Sequence, residues 1–154
     1  MKSRARVLIV DDEALMRRLV RSILIKEGYF VAQASGVEDA LAKLKKSHFD
    51  IVITDICMPD SDGFDLLTAV KKNHPDTGVI VMTGFGDAST PDQARTLGAD
   101  EYFTKPFNER EITVIVERVC WRRMVTNRPA STQSRLDISS MMGTNTVLGE
   151  PAKS

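Results

Sequence analysis

The sequence predicts a parallel-sheet α/β protein in which five strands alternate with five helices, a (βα)5 order. Two observations carry the prediction. Short, almost wholly apolar runs such as VLIV, IVIT and VIVM are bounded by turn signals, the pattern of strands buried on both faces of a parallel sheet. Between them lie segments whose apolar residues recur with the 3.6-residue period of a helix that buries one face.

Taken in order, the first strand is VLIV, closed by Asp11 and Asp12. Leu15, Leu19, Ile23 and Leu24 mark a helical stripe, and Gly28 ends it as a C-cap. Tyr29 to Ala34 reads as the second strand. Ser35, with Glu38 three residues on, carries a capping-box signal for a helix bearing Val37, Ala40, Leu41 and Leu44. The third strand runs into Asp55, and the turn MPDSDG leads to a helix carrying Phe64, Leu67 and Val70 that stops before Pro75. Val79 to Thr83 is the fourth strand. Thr90 followed by Pro91 fits an N-cap with proline at the first helical position, and Gly98 closes that short helix after Leu97. The fifth strand is Glu101 to Thr104. Asn108 with Glu111 caps the last helix, which buries Ile112, Ile115, Val116 and Val119. Residues 1–125 thus make one domain; 126–154, rich in Ser, Thr, Asn, Pro and Gly without periodicity, reads as a flexible linker or C-terminal tail.

Composition limits the function classes. At 154 residues, 42% hydrophobic and 27% charged, the chain is expected to be a soluble globular protein with one core. Lys plus Arg and Asp plus Glu are both 21, so no basic excess argues for direct nucleic-acid binding. The apolar run behind MKSRAR is too short for a signal peptide or membrane span, which leads to the expectation of a cytoplasmic protein. Cys57 and Cys120 lack Cys-x-x-Cys spacing and read as reduced thiols rather than a zinc site or disulfide.

The chemistry is expected at the strand ends. Ligands of open parallel sheets sit at the carboxyl ends of the strands. Asp11, Asp12, Asp55, Thr83 and Lys105 all stand at such ends, so they should meet in one crevice. Each alone has an ordinary reading as a cap, turn or strand residue; together they do not. Three carboxylates a few ångströms apart repel by about 4 kcal/mol per pair at 4 Å and an effective dielectric of 20, and a hard divalent cation relieves this.

With these residues in view, the chain resembles the receiver domain of two-component response regulators. The matching pieces are Asp11-Asp12, Asp55 with Met58-Pro59 and Gly63, Thr83-Gly84, and Lys105-Pro106-Phe107. The resemblance implies a doubly wound, flavodoxin-like sheet of order 2-1-3-4-5. It also implies Mg2+, held by Asp12 and Asp55 directly, by Asp11 through water and by the Cys57 backbone carbonyl. Asp55 would be the phosphoacceptor, Lys105 and Thr83 the groups on the phosphoryl oxygens, and Thr83 with Tyr102 the switch. Cys57 and Phe85 would flank the path of the hydrolytic water and tune the lifetime of the phosphoryl group. The implied partners are a sensor histidine kinase or phosphotransfer protein, and an output domain or target on the face built by the fourth helix, fifth strand and fifth helix. The segments YFTKPF and MTGFGD are similar to those of receivers fused to sigma-54-type activators, and VLGEP to the start of such an activator domain. Dimerisation is left open. Such a protein is no enzyme beyond self-phosphotransfer and autodephosphorylation.

Rival classes fit less well. A flavin-binding relative needs a Ser/Thr/Gly phosphate loop after the first strand, where this chain has DDE. The alternative kept open is a magnesium-dependent aspartyl-phosphate phosphatase, which would place Asp-x-Asp after the first strand instead of adjacent aspartates.

Overall fold

The computed structural model describes residues 4–58, 63–84 and 90–126. Most of the turn MPDSDG, the segment containing Phe85 and, past its first residue, the expected tail lie outside the described residues. Along the chain come β1 (Arg6–Val10), α1 (Ala14–Lys26), β2 (Phe30–Ala34), α2 (Val37–Lys46), β3 (Ile51–Asp55), α3 (Gly63–Asn73), β4 (Gly78–Thr83), α4 (Thr90–Thr96), β5 (Glu101–Thr104) and α5 (Glu109–Thr126). All strand pairs are parallel and the sheet order is β2-β1-β3-β4-β5. The (βα)5 expectation holds, and so does the strand order that the resemblance implied. Residues Met1–Arg123 form one compact unit.

Strand alternation explains how the sheet is buried on both sides. Val7, Ile9, Ile51, Ile53, Ile80 and Met82 point to one face, where Val20, Ile23 and Leu24 of α1 and Ile112, Val116 and Val119 of α5 cover them. Leu8, Val10, Val52, Val79 and Val81 point to the other, under Ala40 and Leu44 of α2, Leu66, Leu67 and Val70 of α3 and Ala94 of α4. Every residue of β3 and β4 is buried, as their unbroken apolar runs require.

Three local expectations are corrected. The inward stripe of α1 is Met16, Val20, Ile23 and Leu24; Leu15 is 75% exposed and Leu19 47%. The pattern read from sequence followed spacing of four, which drifts around a helix of 3.6 residues per turn, so its first two members rotate out of the core. The capping box at Ser35 does not form either. Gly36 is the N-cap of α2 without a side-chain cap, and the Asp39 carboxylate accepts the backbone N–H of Ser35 at 3.1 Å. The second strand begins at Phe30, since Tyr29 is drawn into the core and its N–H donates to the Leu24 carbonyl. The cap of α5 does form as a reciprocal pair: Glu111 N–H to Asn108 Oδ1 at 2.8 Å and Asn108 N–H to Glu111 Oε1 at 3.0 Å. Gly28 and Gly98 take the positive φ values, 92° and 102°, expected of residues that end helices.

Candidate functional site

Register brings the polar strand ends together. Val10 lies opposite Thr54, Asp55 opposite Met82 and Thr83 opposite Thr104. Asp11 and Lys105 are therefore one step beyond the last pairs of β1 and β5, on the same edge as Asp55. A slip of one residue would turn Asp55 to the other face. The N–H of Lys105 donates to the Thr83 carbonyl at 2.8 Å and extends the pairing of β4 and β5 into the site.

One oxygen from each of Asp11, Asp12 and Asp55 lies within 4.8 Å of the others. Lys105 Nζ reaches Asp55 Oδ2 at 3.2 Å and Asp11 Oδ2 at 3.4 Å, with Glu13 Oε1 at 4.0 Å. Asp11 is fully buried and Asp55 nearly so, while Asp12 is exposed. These residues open into a crevice of about 480 Å³ lined by Asp12, Glu13, Asp55, Cys57, Met58, Gly84 and Lys105.

Backbone bonds hold the carboxylates in place. Asp11 Oδ1 accepts the Glu13 N–H at 2.9 Å, and Arg17 Nη1 donates to the Asp11 carbonyl at 2.7 Å. Asp55 Oδ1 accepts the Cys57 N–H at 3.2 Å. Burial pushes the Asp11 carboxyl above its ordinary value, against the Glu13 N–H and the Lys105 ammonium. Burial would lower the Lys105 ammonium, but the facing Asp55 and Asp11 outweigh it and hold it above the usual lysine value. The set of oxygen donors can hold a hard cation, and the ammonium beside it can meet an anion delivered to the same crevice.

Thr83 closes β4 at the same edge. It is buried, its hydroxyl donates to Thr104 Oγ1 at 3.3 Å with the Phe103 carbonyl at 3.5 Å, and it is Gly84 that lines the crevice. Pairing of Thr83 with Thr104 across β4 and β5 gives the hydroxyl a partner on the fifth strand. Tyr102 is half-buried with its hydroxyl toward Arg95 of α4. Phe85 lies outside the described residues. The sequence assigned no role to Glu13 or Met58, which line the crevice, or to Arg17, which anchors Asp11; Met58 stood in the matched motif and Glu13 directly after the aspartate pair, while Arg17 carried no signal.

The doubly wound sheet of this order, with an acidic cluster and a lysine at its carboxyl edge, defines a flavodoxin-like protein built around a buried aspartate. The family model described as the response regulator receiver domain matches residues 7–117, and the chain belongs to that family. It is 36% identical over 115 residues to the chemotaxis protein CheY of Thermotoga maritima, covering 74% of this chain and 96% of that protein. It is also 36% identical over 145 residues to the probable transcriptional regulator ycf27 of Guillardia theta, covering 94% of this chain and 55% of the relative. A response regulator receiver domain protein from Clostridium thermocellum has a similar structure, with TM-score 0.76, 30% identity, and coverage of 80% of this chain and 99% of that one. The chain spans about half the length of the first curated relatives it matches. The family match answers the phosphatase alternative: the protein is a receiver domain of the two-component type. No helix among the described residues is long and apolar enough to cross a membrane.

Proposed function

We propose that Asp55 accepts a phosphoryl group from a sensor histidine kinase or phosphotransfer protein, and that this switches the face formed by α4, β5 and α5 toward an output domain or target. The observation that carries the reading is the cluster of Asp11, Asp12 and Asp55 oxygens within 4.8 Å, with Lys105 Nζ in contact with two of them.

The donor set is hard oxygen throughout, which suits Mg2+. Asp12 and Asp55 would hold it directly, Asp11 through water, and Cys57 through its backbone carbonyl. When bound, the ion neutralises the carboxylates and offsets the charge of the incoming phosphoryl group. The Asp55 carboxylate oxygen attacks phosphorus in line, the new O–P bond forming as the bond to the donor breaks. Lys105 follows the charge onto the phosphoryl oxygens. Thr83 exchanges its bond to Thr104 for one to a phosphoryl oxygen, and Tyr102 moves inward into the space this opens, remodelling α4, β5 and α5. The only reactions are this self-phosphotransfer and the later hydrolysis.

Cys57, exposed at the crevice, and Phe85 offer no strong group to orient a water, so the phosphoryl group should persist. A lasting signal suits transcriptional output, in keeping with the Guillardia theta relative, a probable transcriptional regulator; the proposed location is the cytoplasm. The segment itself would not bind nucleic acid, and residues 126–154 would serve as linker or tail. Intact mass after incubation with acetyl phosphate and Mg2+ tests the reading. A single phosphoryl adduct, absent in Asp55→Asn, is expected; no adduct on the wild type, or an equal one on the variant, would refute it.

A further inference from the structure

Tyr102 sits on the edge strand of the sheet, half-buried against the cluster beneath α2, α3 and α4. Across from it, Arg95 in the last turn of α4 makes two contacts with the same side chain. Its guanidinium carbon lies 5.0 Å from the centre of the Tyr102 ring, and its Nη2 donates to the Tyr102 hydroxyl at 3.2 Å. The other arm of the fork, Nη1, stands 3.6 Å from Asp92 one turn earlier on the same helix. Asp92 thus steadies the fork from one side while the ring and hydroxyl occupy the other.

We propose that Arg95 is a positioning residue: it holds Tyr102 in its outward orientation and thereby sets the resting level of the switch. The inference rests on the phosphorylation reading above and names a regulator of it. Ring face and hydroxyl are satisfied by one planar cation, so an inward move of Tyr102 breaks both contacts together. The cation–π contact is not replaced inside, since it needs the cation to follow the ring. A ligand that favours the inward state must work against this difference, and its apparent affinity is reduced by the fraction of molecules held outward. Removing Arg95 should release that fraction without touching Asp11, Asp12, Asp55 or Lys105. Because the Arg95 side chain is 62% exposed, the loss leaves no cavity and the fold is preserved.

The test is titration of the full 154-residue chain with beryllofluoride at saturating Mg2+, followed by fluorine NMR. Arg95→Ala should bind beryllofluoride roughly 3- to 10-fold tighter than wild type, the size of an exposed cation–π contact to which a solvent-screened hydrogen bond adds little. Its Mg2+ affinity without beryllofluoride should be unchanged. Arg95→Lys, which keeps a cation over the ring but loses the fork, should fall between the two. In a Tyr102→Ala background the same substitution should have no effect, as expected for a residue acting through Tyr102. Wild-type affinity in Arg95→Ala, or equal tightening with and without the tyrosine, would overturn this inference alone. Failure of the wild type to bind beryllofluoride at all would overturn the phosphorylation reading and the inference with it.

Discussion

Gly63 opens α3 directly against the strand that carries Asp55. A Cβ built there would stand 2.2 Å from the Asp55 carbonyl oxygen, 2.8 Å from the Ile56 Cα and 3.1 Å from the Asp55 carbonyl carbon. All three are backbone atoms, so no side chain can swing away. Restoring ordinary contact requires α3 and the end of β3 to separate by about 1 Å, in a buried place where packing leaves no slack. The Gly63 N–H, which donates to the Ile56 carbonyl at 3.1 Å, would be strained by the same shift. Overpacking of this kind costs about 1–3 kcal/mol, and the rigidity of the obstacle places Gly63→Ala at the upper end. Displacing the nucleophile by about 1 Å can slow a positioned reaction as much as 100-fold. The assays are urea unfolding and the rate of phosphorylation by acetyl phosphate at fixed Mg2+. An unchanged midpoint together with an unchanged rate would show that α3 does not fix Asp55 through this contact.

Three further outcomes follow from the site and its surroundings. Lys105→Ala should retain Mg2+ binding, yet beryllofluoride should no longer shift the amide resonances of Thr83 and Tyr102; a normal shift would remove Lys105 from the switch. Stability should fall as pH rises past about 9, because burial raises both the Cys120 thiol from its usual 9.0 and the Tyr29 phenol from its usual 10.0. The folded chain then keeps protons that the unfolded chain releases, so unfolding is favoured with increasing pH, and Cys120→Ala should weaken the trend in alkaline melts. Cys57→Asn with Phe85→Glu should shorten the lifetime of the phosphoryl group by about 10- to 100-fold, followed as loss of label; a double variant no faster than wild type would place lifetime control elsewhere.

The strands were legible because β3 and β4 are buried on both faces and so show unbroken apolar runs, and because their ends carry residues out of keeping with an apolar core. Convergence of Asp11, Asp55 and Lys105 followed from the rule that such ends share one edge. What escaped the sequence was set by tertiary contact. Leu15 and Leu19 look like core residues until the rotation of α1 is known. Asp39 caps through a backbone N–H that the Ser35 pattern assigned to a different pair. Gly63 stood out as a motif residue, but its reason, the close approach to the Asp55 carbonyl, exists only once α3 is packed. The direction of the Thr83 hydroxyl depends on Thr104 across the sheet, and the Arg95–Tyr102 contact joins two elements whose facing no periodicity reveals.

The central claim, that Asp55 carries the phosphoryl group, is tested most directly by trapping it. Treating acetyl-phosphate-labelled protein with borohydride reduces an aspartyl phosphate to homoserine, and peptide mass spectrometry then locates the altered residue. Homoserine at position 55, and at neither Asp11 nor Asp12, is the predicted result. Homoserine at either of those two positions, or an unaltered Asp55 in fully labelled protein, would contradict the account.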